Sequence, residues 1–171
     1  DAFGDPIFAS VIEQDSIPGF ITCDRPMNNG PHHYLFNRAV RALNDWVENG
    51  TPPPTSPLLE LNDDQSDYLY DEVGNVLGGI RTPYVDAPSA VLLGDANTGG
   101  SFCRLFGSTR LFSAQEMVTR YTDQAGFVAA VTEATEDAVA KDFLLREDAD
   151  AIIEWAPNQW NWQVDPAAGT P

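Results

Sequence analysis

Residues 31–50 read PHHYLFNRAVRALNDWVENG and carry the clearest secondary-structure pattern in the chain. Pro31 suits the first turn of a helix, because a backbone N–H there has no partner within the helix. Four apolar side chains follow at intervals of four, three and four residues, which places them on one helical face. These side chains are Phe36, Val40, Leu43 and Val47. Gly50 ends the helix, so the pattern predicts an amphipathic helix over 31–50 whose apolar face packs on the core.

The segments on either side of this helix are richer in turn-forming residues. Glycine, proline and asparagine recur through residues 1–30, which predicts an irregular arm with at most one short helix, at residues 9–13. Residues 58–110 read as a loop-rich region with brief strands. Two apolar runs in it, 68–70 and 76–77, flank a polar loop as in a β-hairpin. Further short strands are expected at Ile80, Val85 and 91–93.

The last third of the chain is predicted to be helical over residues 113–156. Ser113 and Glu116 form a capping box, in which each side chain binds a backbone amide that lacks a partner at the start of a helix. Asp123 is placed to cap a second helix, and a third begins near residues 146–148. Residues 157–171 carry two tryptophans among Asn, Gln and Pro, so they are predicted to be a separate tail that lies across another surface.

Composition and charge exclude several classes of function. The 171 residues hold 26 Asp and Glu against 9 Lys and Arg, so the formal net charge is −17. Such a chain has no basic stripe for nucleic acid and no cationic cluster for anionic lipid. No apolar run approaches the roughly 18 residues that span a membrane. With 43% apolar residues the chain can still bury a sizeable core.

The two cysteines, Cys23 and Cys103, are too few and too distant in sequence to make a metal site by themselves. They are either two buried small side chains or a disulfide, and a disulfide would imply an oxidising compartment. The acid-rich stretch 62–72 lacks the spacing and the central glycine of a calcium-binding loop. The sequence therefore predicts neither a metal ion nor a cofactor.

No nucleophile motif is present. The chain contains no G-x-S-x-G elbow, no phosphate-binding loop and no H-E-x-x-H pair. Its two histidines, His32 and His33, are adjacent at the start of the long helix, where the helix dipole disfavours their charged forms. A neutral imidazole there serves as a base if a serine and a carboxylate reach it. The alternative is that one histidine packs inward and the other is solvated.

Arg81 lies in the stretch GGIRTPYVD, residues 78–86, where Gly79 and its neighbour permit a close approach of the backbone. An arginine in so acidic a chain is expected to pair with a carboxylate such as Asp86. The same guanidinium could alternatively bind an acidic substrate. Both roles remain open on the sequence alone.

Four segments, taken in order, resemble a known family. They are similar to the C-terminal part of the large alpha/beta hydrolase domain family of bacterial, often exported proteins, and the resemblance covers roughly residues 1–156. The segments are 28–54 with its Gly30-Pro31, His33-Tyr34 and Trp46-Val47 pairs, GGIRTPYVD at 78–86, CRLFGS at 103–108 and FLLREDA at 143–149.

The resemblance implies an α/β fold, of which this chain is the C-terminal portion: one long helix, short strands in a loop-rich middle, and two to three C-terminal helices. It implies that the serine, acid and histidine of the catalytic triad precede the matched region. If the histidine does not lie upstream, His33 takes its place, since it corresponds to a histidine in the family's helix-start motif.

The implied function is that of a C-terminal segment or processed subunit that stays docked on an N-terminal catalytic portion. That portion would act on a small ester or amide, and the loop with Gly79, Arg81 and Asp86 would shape its pocket. Alone, the chain is expected to be inactive. The alternative is a non-enzymatic acidic extracellular module, derived from the hydrolase fold and used for binding or assembly. A secreted or periplasmic location fits either function.

Overall fold

The computed structural model describes residues 9–95, 97–165 and 167 of the chain. These residues form two small antiparallel sheets and five helices, together with a short 3-10 turn at Cys103–Leu105. The strands are β1 (Ser16–Ile17), β2 (Ile21–Thr22), β3 (Ala90–Leu93) and β4 (Ser108–Leu111), and the helices are α1 (His33–Asn49), α2 (Pro83–Asp86), α3 (Ala114–Tyr121), α4 (Gln124–Ala140) and α5 (Arg146–Val164).

Helix α1 is the helix predicted from residues 31–50. Gly50 ends it in the left-handed conformation at φ 71°, and its N–H donates to the Trp46 carbonyl. The prediction that its apolar face packs on the core is wrong. The four side chains of that face are 51–77% exposed: Phe36, Val40, Leu43 and Val47. The buried residues of α1 are instead Tyr34, Arg38 and Ala42, in its first three turns.

The core lies among α3, α4 and α5. Its buried side chains include Met117 of α3, Phe127 and Val131 of α4, and Ile152 and Trp160 of α5. Both predicted N-terminal caps are confirmed. The Ser113 side chain and the Glu116 side chain bind each other's backbone amides at the start of α3, and the Asp123 carboxylate accepts from Gly126 N at the start of α4.

The predicted boundary at residue 157 is wrong, because α5 continues through Pro157 to Val164. Proline removes one hydrogen bond from a helix interior and disturbs it locally. Contacts beyond it hold the last turns in place. Trp160 is only 7% exposed, and the Gln159 amide accepts from Val11 N at 3.0 Å and donates to Val11 O at 3.1 Å. The predicted tail is thus part of the core as far as Val164, and residues 166 and 168–171 lie outside the described part.

The two sheets are short. β1 pairs with β2, and β3 pairs with β4 from Ala90↔Leu111 to Leu93↔Ser108; both pairs are antiparallel. The predicted hairpin exists only as single bridges, Tyr70↔Val76 and the neighbouring Leu61↔Tyr68. No parallel strand pair occurs among residues 9–95 and 97–165.

One further local prediction is wrong. Val85 lies in α2, where Pro83 occupies the start of the helix, and not in a strand. Residues 10–13 are not helical, as the prediction of an irregular arm with at most one short helix allows. The backbone of this segment instead makes long-range contacts, in which Val11 binds α5 through Gln159, so an apolar local pattern was satisfied by a distant partner.

Of the two alternatives that the sequence left open for Cys23 and Cys103, the structure contains the disulfide, with the two Cα atoms 5.5 Å apart. It joins the chain just after β2 to the 3-10 turn. Both cysteines are buried in a second, smaller apolar cluster with Ile21 and Met27. None of the described helices is both long enough and apolar enough to cross a bilayer.

Candidate functional site

The first turns of α1 and α5 bring His33 and Asp148 together. Asp148 is buried, with 9% of its surface exposed. The Asn37 side chain, one helical turn after His33, donates its amide to both carboxylate oxygens of Asp148, at 3.1 and 3.3 Å. This contact fixes the carboxylate beside the start of α1, where its charge acts on the His33 imidazole.

The electrostatics of this pair keep the imidazole neutral near pH 7. Burial lowers the pKa of His33 below its usual 6.5, and the neighbouring His32 lowers it further, while Asp148 acts in the opposite direction. Burial raises the pKa of the Asp148 carboxyl, and the hydrogen bond from Asn37 and the proximity of His33 limit that rise. A histidine with a lowered pKa is unprotonated at neutral pH and is available as a proton acceptor.

Two stacked tyrosines, Tyr34 and Tyr84, lie next to this pair, and Tyr34 is the one that contacts His33. The Tyr34 ring lies 4.0 Å from the His33 ring, centroid to centroid, and is stacked parallel to Tyr84 of α2 at 6.5 Å. The Tyr84 hydroxyl donates to Ala9 O at 3.0 Å. Burial, aided by Asp148, raises the pKa of Tyr34 to about 12, and burial raises that of Tyr84 well above its usual value. Both phenols therefore remain neutral at physiological pH.

We refer to His33, Tyr34, Asn37, Tyr84 and Asp148 as the His33 cluster. His32, the other predicted candidate, is exposed at the N-cap of α1, with its Nδ1 atom 3.2 Å from Gly30 O. Of the two adjacent histidines, one is thus partly buried beside a carboxylate and the other is solvated.

The stretch 78–86 consists of a loop followed by α2. Tyr84 of α2 connects this stretch to the His33 cluster. Arg81 binds within the chain: its guanidinium donates to Asp86 at 2.5 Å, to Asp71 at 3.1 Å and to Val76 O at 2.9 Å. Of the two roles left open by the sequence, the structure contains the internal ion pair.

The glycines of this loop are required by the backbone. Gly78 has φ 76° and Gly79 has φ 67°, both in the left-handed region. A Cβ atom at Gly78 would lie 2.2 Å from Leu58 O, so only glycine permits this crossing of two chain segments. The loop is consequently held by a close backbone contact on one side and by Arg81 on the other.

Within the described residues, no group of three or more His, Cys, Asp or Glu side chains is placed to hold a metal ion. Both cysteines are in the disulfide. The described site contains a partly buried imidazole, His33, with the Asp148 carboxylate close enough to act on its pKa, and such a pair is suited to proton transfer.

Sequence reasoning missed Asp148, Asn37 and the tyrosines as neighbours of His33. Asn37 and Asp148 are 111 positions apart, and no local pattern reports such a contact. The one available signal was that Asp148 lies in FLLREDA, one of the four segments that carried the family resemblance.

A comparison with family profiles identifies the class. The profile described as alpha/beta hydrolase domain matches residues 7–154, well over half of the chain. The chain therefore belongs to the alpha/beta hydrolase domain family, as its motifs implied, and its five helices and two small sheets are compatible with part of an α/β fold. No curated protein and no solved structure gives a significant match.

Proposed function

We propose that this chain is the C-terminal segment, or a processed subunit, of an α/β-hydrolase that cleaves small ester or amide substrates. One observation carries the proposal: the family match extends over residues 7–154, yet the chain contains no G-x-S-x-G elbow. In α/β-hydrolases the nucleophilic serine sits on that elbow. The serine is then supplied by an N-terminal catalytic portion on which this segment docks.

In this proposal His33 is the residue of this segment that takes part in the reaction, as the general base. The resemblance allows a triad histidine upstream or, failing that, at His33. The lowered pKa of His33 and the adjacent Asp148 carboxylate support the second position. A neutral His33 would accept the serine proton as the oxygen attacks the substrate carbonyl, and the nearby negative charge would stabilise the imidazolium that forms.

Asp148 is not the triad acid in this proposal. The chain order in α/β-hydrolases is serine, then acid, then histidine, and Asp148 follows His33. It is a further carboxylate whose negative charge raises the pKa of the imidazole. The triad acid lies upstream with the serine in this proposal. In this proposal the loop carrying Gly79, Arg81 and Asp86 would shape one side of the substrate pocket. What supports this is that the loop continues into α2, whose Tyr84 stacks on Tyr34 of the His33 cluster.

The proposed location is outside the cytoplasm, either secreted or periplasmic. The Cys23–Cys103 disulfide supports it, since structural disulfides persist in oxidising compartments. The net charge of −17 is consistent with a protein that binds no nucleic acid.

The first test compares the isolated chain with the natural polypeptide. Intact mass and N-terminal sequencing of the natural protein should give a polypeptide longer than this segment, or a second chain carrying the serine elbow. That assembly should take a fluorophosphonate label and cleave a p-nitrophenyl ester, and the isolated segment should do neither. Labelling of the isolated segment would refute the proposal. A native mass near 18.7 kDa with no such partner would favour the binding or assembly module instead.

The second test concerns His33 alone, in the same labelled assembly. His33→Gln should lower kcat for the p-nitrophenyl ester by about 100-fold or more, as expected for loss of a general base. His32→Gln is the matched control, because it changes the adjacent, solvated histidine, and it should leave kcat within about twofold. Equal effects of the two substitutions would place the triad histidine upstream.

A further inference from the structure

A cleft beside α3 brings together two of the few cations in the chain. It encloses about 560 Å³ and is bounded by α3, by β4 and by the turn at residues 72–73. The chain has 9 Lys and Arg in all, yet Arg110 of β4 and Arg120 of α3 both line this cleft. None of the described residues in its wall belongs to the His33 cluster. We call it the two-arginine cleft, and its residues are separate from those of the candidate active site.

A buried aromatic ring keeps the two guanidinium groups close to each other. The Phe112 ring lies in the floor of the cleft, with the Cζ atom of Arg110 5.6 Å from its centroid and the Cζ atom of Arg120 6.0 Å from it. Arginine is attracted to the face of an aromatic ring, whereas two cations held close together repel each other. Such a pair is favourable when anions stand beside it, so the cleft presents two neighbouring positions for anionic groups.

Two glutamates of the chain occupy these positions, and they are held with different strength. Arg110 Nη1 donates to both carboxylate oxygens of Glu116, at 3.1 and 3.3 Å, and the same carboxylate is fixed by Ser113 N and Oγ in the capping box. Arg120 Nη2 donates to Glu72 at 2.7 Å, and the Glu72 side chain is 79% exposed. An exposed ion pair contributes little free energy. Glu72 is therefore the carboxylate that a ligand can displace, while Glu116 stays in place.

Both arginines have further donors for a ligand. The hydrogen bonds of Arg110 to Glu116 and to the Leu111 carbonyl all start from Nη1, and that of Arg120 starts from Nη2. A guanidinium carries five N–H donors in a planar fork that fits the two oxygens of a carboxylate.

The charges around the cleft favour a carboxylate over a phosphate as the ligand group. Carboxylates already occupy both arginine positions in the structure, so the geometry of the site suits them. A phosphate dianion would place a larger negative charge beside the fixed Glu116, in a chain whose net charge is already −17. With one carboxylate for each arginine, the ligand class is a small dicarboxylate.

We infer that the two-arginine cleft binds a small dicarboxylate. One carboxylate replaces Glu72 on Arg120, and the other accepts from the donors of Arg110 that Glu116 leaves unused. Binding is non-covalent, and the displaced Glu72 side chain turns into solvent. This binding site is additional to the proposed hydrolase function and does not rest on it.

Isothermal titration calorimetry of the 171-residue chain with succinate tests the inference. Succinate should bind saturably, and its neutral analogue succinamide should not. Arg110→Gln and Arg120→Gln should each raise the Kd of succinate by about 10-fold or more, because each removes charge-assisted hydrogen bonds to one carboxylate. Arg146→Gln is the matched control, since Arg146 is an exposed arginine that pairs with Glu136. It should leave the Kd within about twofold.

Glu72→Gln tests the same site with a variant that keeps both arginines. It removes the carboxylate with which the ligand competes, so the Kd of succinate should fall by about two- to fivefold. The side chain is largely exposed, so its replacement should leave the fold intact. Glu48→Gln makes the same change of charge at an exposed position of α1 and should leave the Kd unchanged.

Several outcomes overturn the inference. Absence of saturable succinate binding, or equal binding of succinamide, means that the cleft does not recognise carboxylates. Equal affinity for acetate removes the contact with a second carboxylate, and tighter binding of inorganic phosphate replaces the ligand class. An unchanged or weaker affinity in Glu72→Gln means that the ligand does not displace Glu72. Because the titration involves no reaction, any of these results leaves the proposed hydrolase function unaffected.

Discussion

Helices α1 and α4 are both 17 residues long, and their surroundings differ. Helix α4 contacts α2, α3 and α5, and its apolar residues Phe127, Val131 and Ala138 are buried. Helix α1 separates its polar and apolar sides more sharply, yet its apolar stripe faces solvent. The helix that looks more strongly amphipathic is therefore the one whose apolar side the described residues leave exposed.

The difference shows what hydrophobic periodicity reports. A period of three to four residues indicates that one face of a helix requires an apolar partner. It does not indicate where that partner is encoded. For α4 the partner is α5, which follows it in the chain, whereas the apolar stripe of α1 stays more than half exposed among the described residues.

The largest predicted effect comes from two matched phenylalanines. Phe127→Ala in α4 should lower the free energy of unfolding of the 171-residue chain by about 3–5 kcal/mol, because it opens a cavity beside Trp160 in the core. Phe36→Ala in α1 should change it by no more than about 0.5 kcal/mol, since Phe36 is 67% exposed. Urea unfolding followed by circular dichroism measures both. Comparable losses would mean that α1 is packed in solution and would remove the contrast.

The next effect concerns the region outside the helical core. The chain around β1 and β2 relies on a small apolar cluster that contains the disulfide. The double variant Cys23→Ser with Cys103→Ser should lose about 2–5 kcal/mol of unfolding free energy, because a cross-link spanning 80 positions restricts the unfolded chain. Dithiothreitol should destabilise the wild type by a similar amount and leave the double variant unchanged. A wild type unaffected by complete reduction would contradict this prediction.

Local chemistry made much of the fold predictable from sequence. Gly50 as the end of α1 and the capping box at Ser113 depend on atoms a few residues apart, so their sequence signals suffice. The local signal at Pro157 gave a wrong prediction. A proline usually stops a helix, but here the distant contact between Gln159 and Val11 helps to hold the last turns of α5. The proximity of Asp148 to His33 could not be predicted from sequence either, because the two residues are far apart in the chain and only the tertiary fold brings them together.

A smaller effect should separate the starts of α3 and α1. Ser113 caps α3 through its side chain, whereas His32 makes no side-chain capping bond at the start of α1. Ser113→Ala should therefore lose about 1 kcal/mol of unfolding free energy, and His32→Ala should lose no more than about 0.5 kcal/mol. Urea unfolding at pH 7.5 measures both without interference from histidine titration. A larger loss for His32→Ala would show that α1 is fixed at its start by a contact of His32.

The smallest effect is a change in the pKa of His33. This histidine lies in the first turn of α1, next to the buried Tyr34, whereas the apolar stripe of the same helix is exposed. The imidazole should titrate below its usual pKa of 6.5, and Asp148→Asn should lower this pKa further by removing the charge that raises it. NMR of the 171-residue chain measures the midpoint of the His33 titration, with His32→Gln used to assign the two histidines. Asp150→Asn removes an equal charge from the exposed side of α5 and serves as the control.

The sign of the pH dependence follows from the same shift. Below about pH 6.5 an unfolded histidine takes up a proton that the folded His33 resists, so the stability contributed by neutral His33 is present above that pH and is lost as the pH falls. Asp148→Asn should enlarge this loss, and Asp150→Asn should not. If Asp148→Asn left the His33 pKa unchanged, burial and not the carboxylate would control the imidazole. Asp148 would then have no electrostatic part in a reaction at His33.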